Sequence, residues 1–549
     1  MRPFSVAHRA ADVADVTGGV LDVLVVGAGA TGAGVALDAA ARGLSVAVID
    51  RGDLASGTSS KSSKLIHGGL RYLEHYDVGL VYEGVNEREL LQRLAPHLVR
   101  PMEFVYPILP DSDRVRLVGL GLTAYDVLAG WRNVRRHERV SATVAVERAP
   151  ALASSGVLRA YVYGDCATDD ARLVLANIVA ARRFGAVALT YTEAVALVFG
   201  DDGRVCGARV RDRLDGAEYD IRARHVVNAT GVWVDTLLAQ EDPAHVAVVR
   251  PSKGVHLVVP HDRVPLRNAA ILMPSRRGDG RSMFAIPWGR QTILGTTDTA
   301  YDGPLDEVGV SADDVDYVLG ACNALFGAAL SDTDVVGAWA GCRPLLRGAS
   351  EEMGDLSRRH ALSEGPSGLL TITGGKLTTY RRMAKDVVDR VVDRDGKRAR
   401  CRTDEIQLGC ARPYDAVVAE VAEAAAAVGA GDAEVAESLV RQYGEEAATV
   451  LGLAIDTGLT APLSPAAPHL AAEVVYAARH EGAATLEDVF ARRTRLALRA
   501  RDAALPAAGE AAALLAGELG RDAAWAADQV RAYEAAVRRE RGVLGLTAT

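Results

Sequence analysis

The stretch LDVLVVGAGATGAGVALDAAARGLSVAVID, Leu21 to Asp50, constrains the fold more than any other. Val23 to Val26 reads as a buried strand, a glycine turn and a small-residue helix follow, and a second apolar strand ends at Asp50. Gly27, Gly29 and Gly32 fall where a dinucleotide needs them. The first makes a tight turn, the second lets a pyrophosphate approach the backbone, and the third lets the helix pack closely on the sheet. The helix N-terminus then faces the phosphates. Asp50, 18 residues past Gly32, is placed to take a ribose hydroxyl. The expected fold class is therefore α/β, built on a doubly wound dinucleotide-binding domain.

With 549 residues, 49% hydrophobic and 24% charged, the chain is long enough for two or three cores. A formal charge of −9 argues against general nucleic-acid binding, which needs a basic face. The six cysteines form no C-x-x-C pair, and the N-terminus has no basic segment leading into an apolar run, which fits a reducing cytoplasm. No stretch of about eighteen residues is free of charge, so a spanning helix is not expected, while lying on a membrane surface stays open. Residues 1–20 show no clear pattern and read as a leader. From about Val140 to Val335 short apolar runs alternate with turns, and GVHLVVP and QTILGTTDT read as strands of a second sheet. In LLTITGGKLTTYRRMAKDVVDRVV a strand, a Gly374-Gly375 turn and a long helix make another possible anion or cofactor contact. From about Cys401 alanine and glutamate at helical spacing mark a helical domain, whose clearest start is Thr485 with Asp488 three residues later, before VFARRTRLALRARD. The division is thus 1–20 leader, 21–400 two interleaved domains, and 401–549 helical cap.

SSKSSKLIHGGLRYLEH, Ser59 to His75, gathers serines, lysines, histidines, an arginine, a tyrosine and a Gly-Gly pair with no regular apolar period. Such a mixture suits a loop that covers a cofactor and offers donors to a small anionic substrate. The alternative is a solvated loop whose charges face water, a reading that carries more weight for Lys61 and His75 taken singly.

These segments, with DCATDDARLVLAN, VVNATGVWVD, GTTDT, GCRPL, TGGKLTTYR and EDVFARRTRLAL in order, resemble the FAD-dependent glycerol-3-phosphate dehydrogenase family. The similarity runs from about Asp22 to Arg382 and returns in the C-terminal motif. It implies an FAD-binding domain, a substrate domain on an antiparallel sheet and an α-helical C-terminal domain. It also implies oxidation of glycerol 3-phosphate to dihydroxyacetone phosphate, with electrons passed from the flavin to a membrane quinone. By resemblance Arg71, Arg343 and Arg358 hold the substrate with Tyr72, although LSRRHAL leaves open whether Arg358 or Arg359 faces it. Guanidinium forks match phosphate. His256 matches a family histidine expected at the active site and suits a base, with Arg343 or a water as rivals. Lys376 is expected to stabilise reduced flavin or to bind phosphate. Cofactor contacts are expected from Gly27, Gly29, Gly32, Asp50, Ser63, Lys64, His67, Gly68, Gly375, Lys376, Leu377 and Thr378.

Two alternatives stay open: an oxidase that passes electrons to oxygen, and a non-catalytic flavin-binding regulator, for which lost arginines would be expected. A nicotinamide enzyme would not explain NATG or TGGKLTTYR. The segment from Arg114 to Val140 joins leucines and valines to Trp131 and to Arg132, Arg135, Arg136 and Arg139. It reads as an interfacial segment or, almost equally, as a helix buried against the sheet. The former makes the protein cytoplasmic and peripheral on the inner face of the cell membrane. A homodimer is also left open.

Overall fold

A computed structural model of the chain describes residues 2–69, 77–110, 112, 115–274, 282–347, 359–465 and 467–545. Strand Val20–Val26 lies at the middle of the first sheet, parallel to Val46–Ile49 on one side and to Glu218–Asn228 on the other. Val187–Leu189 and Leu370–Gly374 extend the parallel run. Val46–Ile49 is buried at every position, as a strand covered on both faces must be, so its residues run apolar without alternation. Helices Ala30–Ala41, Asp170–Arg183 and Tyr380–Arg394 cover one face. Their approach is close: a Cβ on Gly34 would stand 3.0 Å from both the Ala384 methyl and the Tyr380 ring.

The other face is covered by residues expected to be a leader. Arg9–Thr17 is a helix whose Val16 is fully buried with Leu24, Ile49 and Val210. Arg9 fixes it by donating to Asp212 Oδ2 (2.5 Å), Thr190 O (2.7 Å) and Thr192 Oγ1 (2.8 Å). A nine-residue helix shows only two turns of periodicity, too short for the pattern to stand out in sequence.

The second sheet is antiparallel except where Ala269–Pro274 runs parallel to Arg100–Ile108. Its long strands Val249–Pro260 and Gly337–Leu346 pair over ten positions, from Val249 opposite Leu346 to Val258 opposite Gly337. GVHLVVP and QTILG are strands here, as their β-branched alternation predicts. The chain is thus α/β, with an antiparallel-sheet domain interleaved and a helical region beyond Cys401 that also carries the hairpin Pro462–Ser464 and Ala467–Leu470.

Thr485 and Asp488 do form the reciprocal cap: Asp488 N donates to Thr485 Oγ1 (3.2 Å) and Thr485 N to Asp488 Oδ2 (3.0 Å). The helix that follows is not continuous. Asp488–Arg493 is a π turn, closed by Thr494 N on Val489 O (2.9 Å), and Arg495 then takes a left-handed backbone at φ +61°. The cause is ionic. Arg492 and Arg493 reach Asp53 at 2.5 and 2.6 Å, and Arg495 reaches Asp169 at 2.6 Å; all but the half-buried Asp169 are nearly or fully buried. The cap is therefore joined to the flavin-type domain by charges that need each other: removing one partner strands the other away from water.

His97 sits beneath this junction, its ring 3.5 Å from where a Cβ on Gly409 would lie. Burial, assisted by the Arg172 charge, pushes the imidazole down to about 3. It is neutral in the fold, whereas the unfolded chain takes up a proton near pH 6.5. The unfolded state thus binds more protons between pH 6.5 and about 3, and stability falls as pH falls through that window, by up to about 1.4 kcal/mol per unit. In urea unfolding at a series of pH values, His97→Gln should flatten this acid slope; an unchanged slope would show that His97 is not its source.

Candidate active site

Alternation along two strands builds the floor. On Val249–Pro260, residues Ser252, Gly254 and His256 share a face; opposite them stand Arg343, Gly341 and Trp339. The two facing glycines leave room that side chains would fill. A Cβ on Gly254 would overlap the Arg343 guanidinium, and one on Gly341 would stand 2.8 Å from Lys61 Cβ. His256 stacks on Trp339 with ring centroids 5.0 Å apart and 17° between planes. Its Nε2 lies 2.9 Å from Ser63 Oγ. Burial, then the charges of Arg343 and Lys64, hold the imidazole well below its ordinary value, so it is neutral at pH 7.

GTTDT orients Arg343. The guanidinium donates to Thr296 Oγ1 (3.0 Å), Thr297 O (3.3 Å) and Asp298 Oδ1 (3.3 Å), and Ser252 Oγ in turn donates to Asp298. A guanidinium offers donors in a fixed fork and no acceptor, which suits Arg343 so aimed to clamp an anion. The motif was legible as a unit, but nothing in the sequence marked Thr296 and Asp298 as the residues aiming the fork.

This floor opens into one cavity of about 1520 Å³, which also takes in the glycine turn, Asp50 and the TGGKLT segment. Its size exceeds that of a single small-ligand pocket. At the far end Gly27 has φ +104°, where a Cβ would press on Ala229 O at 2.6 Å. A Cβ on Gly29 would lie 3.0 Å from Ser59 Oγ, and one on Gly32 would overlap Gly27 O. Ser59 Oγ accepts from Ala30 N (2.9 Å) at the helix start. Asp50 accepts from Ala28 N (2.8 Å) and Gly52 N (2.9 Å); burial raises its carboxyl and these two amides draw it back. A cradle without Cβ atoms, a helix N-terminus and an aimed carboxylate at a strand end fit the pyrophosphate and ribose of FAD.

Of the expected contacts, Gly27, Gly29, Asp50, Ser63, His67, Gly375, Lys376, Leu377 and Thr378 line this cavity with His256 and Arg343. His67 N donates to Thr378 Oγ1 (3.2 Å), which ties the two loops together. Gly32, Lys64 and Gly68 lie outside the lining. Gly32 packs the helix on the turn. Lys64 turns inward at φ +57° to Asp170 Oδ1 (2.9 Å) and Ser60 O (3.2 Å), with its ammonium 4.8 Å from the Trp339 ring centre. Gly68 N donates to Tyr125 Oη (3.1 Å) and Asp165 Oδ1 (3.3 Å). Tyr125 Oη donates to the same carboxylate at 2.7 Å, and Arg88 donates to both. Lys61, for which a solvated position is the alternative in sequence, lines the cavity, and burial lowers its ammonium. Arg71, Tyr72 and Arg358 lie outside the described residues. Arg359 is exposed and reaches Asp77 Oδ1 at 2.7 Å.

Helix Val115–Ala129 closes the opposite end of the cavity with Val115, Leu117, Val118, Leu120, Gly121 and Ala124. Leu122, Tyr125 and Ala129 are buried, while Leu117, Leu120, Val127 and Trp131 are 54%, 67%, 76% and 76% exposed. The buried-helix reading therefore holds for one face, while the other presents apolar side chains outward. Its basic end is weaker than it reads, because Arg135 is paired with Glu103 and Glu138. Arg136 and Arg139 remain exposed.

The family of FAD dependent oxidoreductases matches residues 22–381, and that of the C-terminal domain of alpha-glycerophosphate oxidase matches residues 401–526. The chain is 41% identical to glycerol-3-phosphate dehydrogenase 2 of Mycobacterium tuberculosis over 522 residues, covering 94% of this chain and 88% of that protein. It is 41% identical to the glycerol-3-phosphate dehydrogenase of Mycobacterium leprae over 526 residues, with the same shares covered. In three dimensions it is similar to the glycerol-3-phosphate dehydrogenase from Bacillus halodurans complexed with FAD, with a TM-score of 0.80, 30% identity and 98% of each chain covered.

Arg343→Lys keeps the charge and loses the fork that Asp298 and Thr296 aim. For glycerol 3-phosphate, the substrate the sequence resemblance implies, KM should rise tenfold or more, about 1.4 kcal/mol, at unchanged flavin content. An unaltered KM would remove Arg343 from the substrate site.

Proposed function

This chain belongs to the FAD-dependent glycerol-3-phosphate dehydrogenase family, an enzyme family with FAD as cofactor, and we propose that it oxidises sn-glycerol 3-phosphate to dihydroxyacetone phosphate and passes the electrons to a membrane quinone. The observation that carries the substrate reading is the neutral His256 and the braced Arg343 on one sheet face, in the cavity that also holds the glycine turn. Bound FAD supplies the acceptor for the hydride that leaves carbon 2. Arg343 takes the phosphate dianion through its fork, and Lys376 adds a second positive charge on the cavity wall. His256 accepts the hydroxyl proton at Nε2, with Ser63 Oγ as the near relay. Burial first, and then the Arg343 charge, makes this imidazole resist protonation. A phosphate seated on Arg343 offsets that charge and makes His256 a stronger base only once substrate is present.

The apolar end of the cavity supports the quinone over oxygen. Oxygen needs no lipophilic passage, whereas an isoprenoid acceptor does, and Leu117 and Leu120 both line the cavity and face outward. With Trp131 and Val127 they make an apolar face beside Arg136 and Arg139, suited to an anionic lipid surface on the inner side of the cell membrane. Among the described residues no helix is long and apolar enough to cross a membrane. A non-catalytic regulator would have no need of an aimed Arg343 beside a neutral histidine.

Anaerobic mixing of the purified protein with glycerol 3-phosphate should bleach the flavin, and free glycerol should not. Bleaching by both, or by neither, would overturn the substrate reading. The pair Leu117→Asp and Leu120→Asp should abolish flotation with anionic vesicles at low salt and slow reduction of a long-chain quinone at least tenfold, a loss of about 1.4 kcal/mol in transition-state stabilisation. Anaerobic bleaching should persist. If the unaltered protein does not float, yet turns over fully with oxygen, the oxidase becomes the better account.

A further inference from the structure

The turn that carries Ser63 is held from the far side of the protein. Asp170, fully buried at the start of helix Asp170–Arg183, accepts from Ser62 N (3.0 Å) and Ser62 Oγ (2.7 Å) through Oδ2. Through Oδ1 it accepts from Lys64 Nζ (2.9 Å) and from Arg495 of the cap. Both neighbours of Ser63 are thus tied to one carboxylate, and that carboxylate to one guanidinium. Arg495 is itself fixed by Asp169, with Nε 3.1 Å from each oxygen and Nη2 2.6 Å from Oδ1. Lys64 at φ +57° and Arg495 at φ +61° both take the left-handed backbone that residues with a Cβ avoid. Two such conformations meeting at one buried carboxylate mark a place where surrounding structure overrides local preference. Neither Asp170 nor Arg495 lines the cavity.

We propose that Asp170 and Arg495 are positioning residues for the proton-accepting step: the cap's Arg495 sets Asp170, Asp170 sets the residues on either side of Ser63, and Ser63 Oγ is thereby kept on His256 Nε2. This rests on the reading of His256 as the proton acceptor in glycerol 3-phosphate oxidation. The cluster is more than adhesion between cap and core. Arg493 with Asp53 and Arg172 with Glu481 already join them, and neither pair touches the Ser62–Lys64 turn. What distinguishes Asp170 is that its remaining partners, apart from the adjacent Ala171 N on Oδ1 (3.0 Å), all belong to that turn. Angular freedom at Ser63 would cost rate rather than substrate affinity, because Arg343, braced separately by Thr296 and Asp298, keeps the phosphate.

The test is a double-mutant cycle in the full-length, FAD-loaded enzyme, read as anaerobic flavin bleaching by glycerol 3-phosphate in stopped flow at several pH values. Arg495→Lys keeps the charge but cannot reach Asp169 and Asp170 together. It should slow saturated bleaching about tenfold, with the half-saturating substrate concentration within about twofold of the original. Ser63→Ala should slow bleaching comparably, and the double variant should be no slower than Ser63→Ala alone. The acid limb of the bleaching rate should shift in Arg495→Lys as it does in Ser63→Ala. Independent, multiplying effects of about a hundredfold in the double variant, or an unchanged rate in Arg495→Lys, would overturn the inference. If Arg495→Lys does not fold, Asp170→Asn, of equal volume, takes its place with the same readouts. Loss of the flavin-bound fold in both would assign the cluster to stability and overturn it too. Failure of glycerol 3-phosphate to bleach the unaltered enzyme would instead overturn the substrate reading, and this inference with it.

Discussion

The chemistry at the cavity floor depends on one pairing, in which Gly254 of strand Val249–Pro260 faces Gly341 of strand Gly337–Leu346. With no side chain on either residue, the sheet has a trough where two others would stand. Arg343 lies back into it, Lys61 crosses over it, and His256 is left free to stack on Trp339. The register matters as much as the residue types. Slipping one position would put His256 and Arg343 on opposite faces of the sheet. The register is pinned over ten consecutive pairs and on the other edge by Gln291–Gly295. The sheet thus supplies a base and an anion clamp, while the loop parts of the site, the Ser59–Gly69 and Gly374–Thr378 segments, are laid on top.

Those overlying segments are held by polar contacts between residues distant in sequence, and this divides what sequence reveals from what it hides. Val46–Ile49 and the glycine turn were legible because burial on both faces and a positive φ leave marks at the residue itself. His256 and Arg343 were legible through the motifs around them. The inward turn of Lys64 was not, since its reason is Asp170, more than a hundred residues on, and a loop has no period to betray which way a side chain points. The break at Arg495 in an otherwise helical segment has the same origin. So has the loss of Arg135 from the basic cluster, whose partner Glu103 lies on a neighbouring strand. Local preference was overridden wherever a buried charge had to find its counterpart.

The cap contributes through charge and not through an apolar seam alone. Buried pairs of this kind add little net stability over well-packed hydrophobic residues, yet they are unforgiving of geometry. Arg172, Arg493 and Arg495 allow one seating of the cap on the core, each with its own carboxylate. A domain attached by such contacts is oriented as well as held.

The helix Val115–Ala129 serves two masters. Its inner face carries Tyr125, whose hydroxyl meets Gly68 N, Arg88 and Asp165 beneath the His67 loop. Its outer face carries Leu117, Leu120 and Val127 into solvent. The two faces share a backbone but no side chain, and of the outward residues Leu117 and Leu120 also line the cavity whereas Val127 does not. A charge can therefore be placed at Val127 without entering the cavity or touching the Tyr125 network. The same liberty stops at Tyr125, where even the loss of one oxygen would leave a buried carboxylate and guanidinium short of a partner.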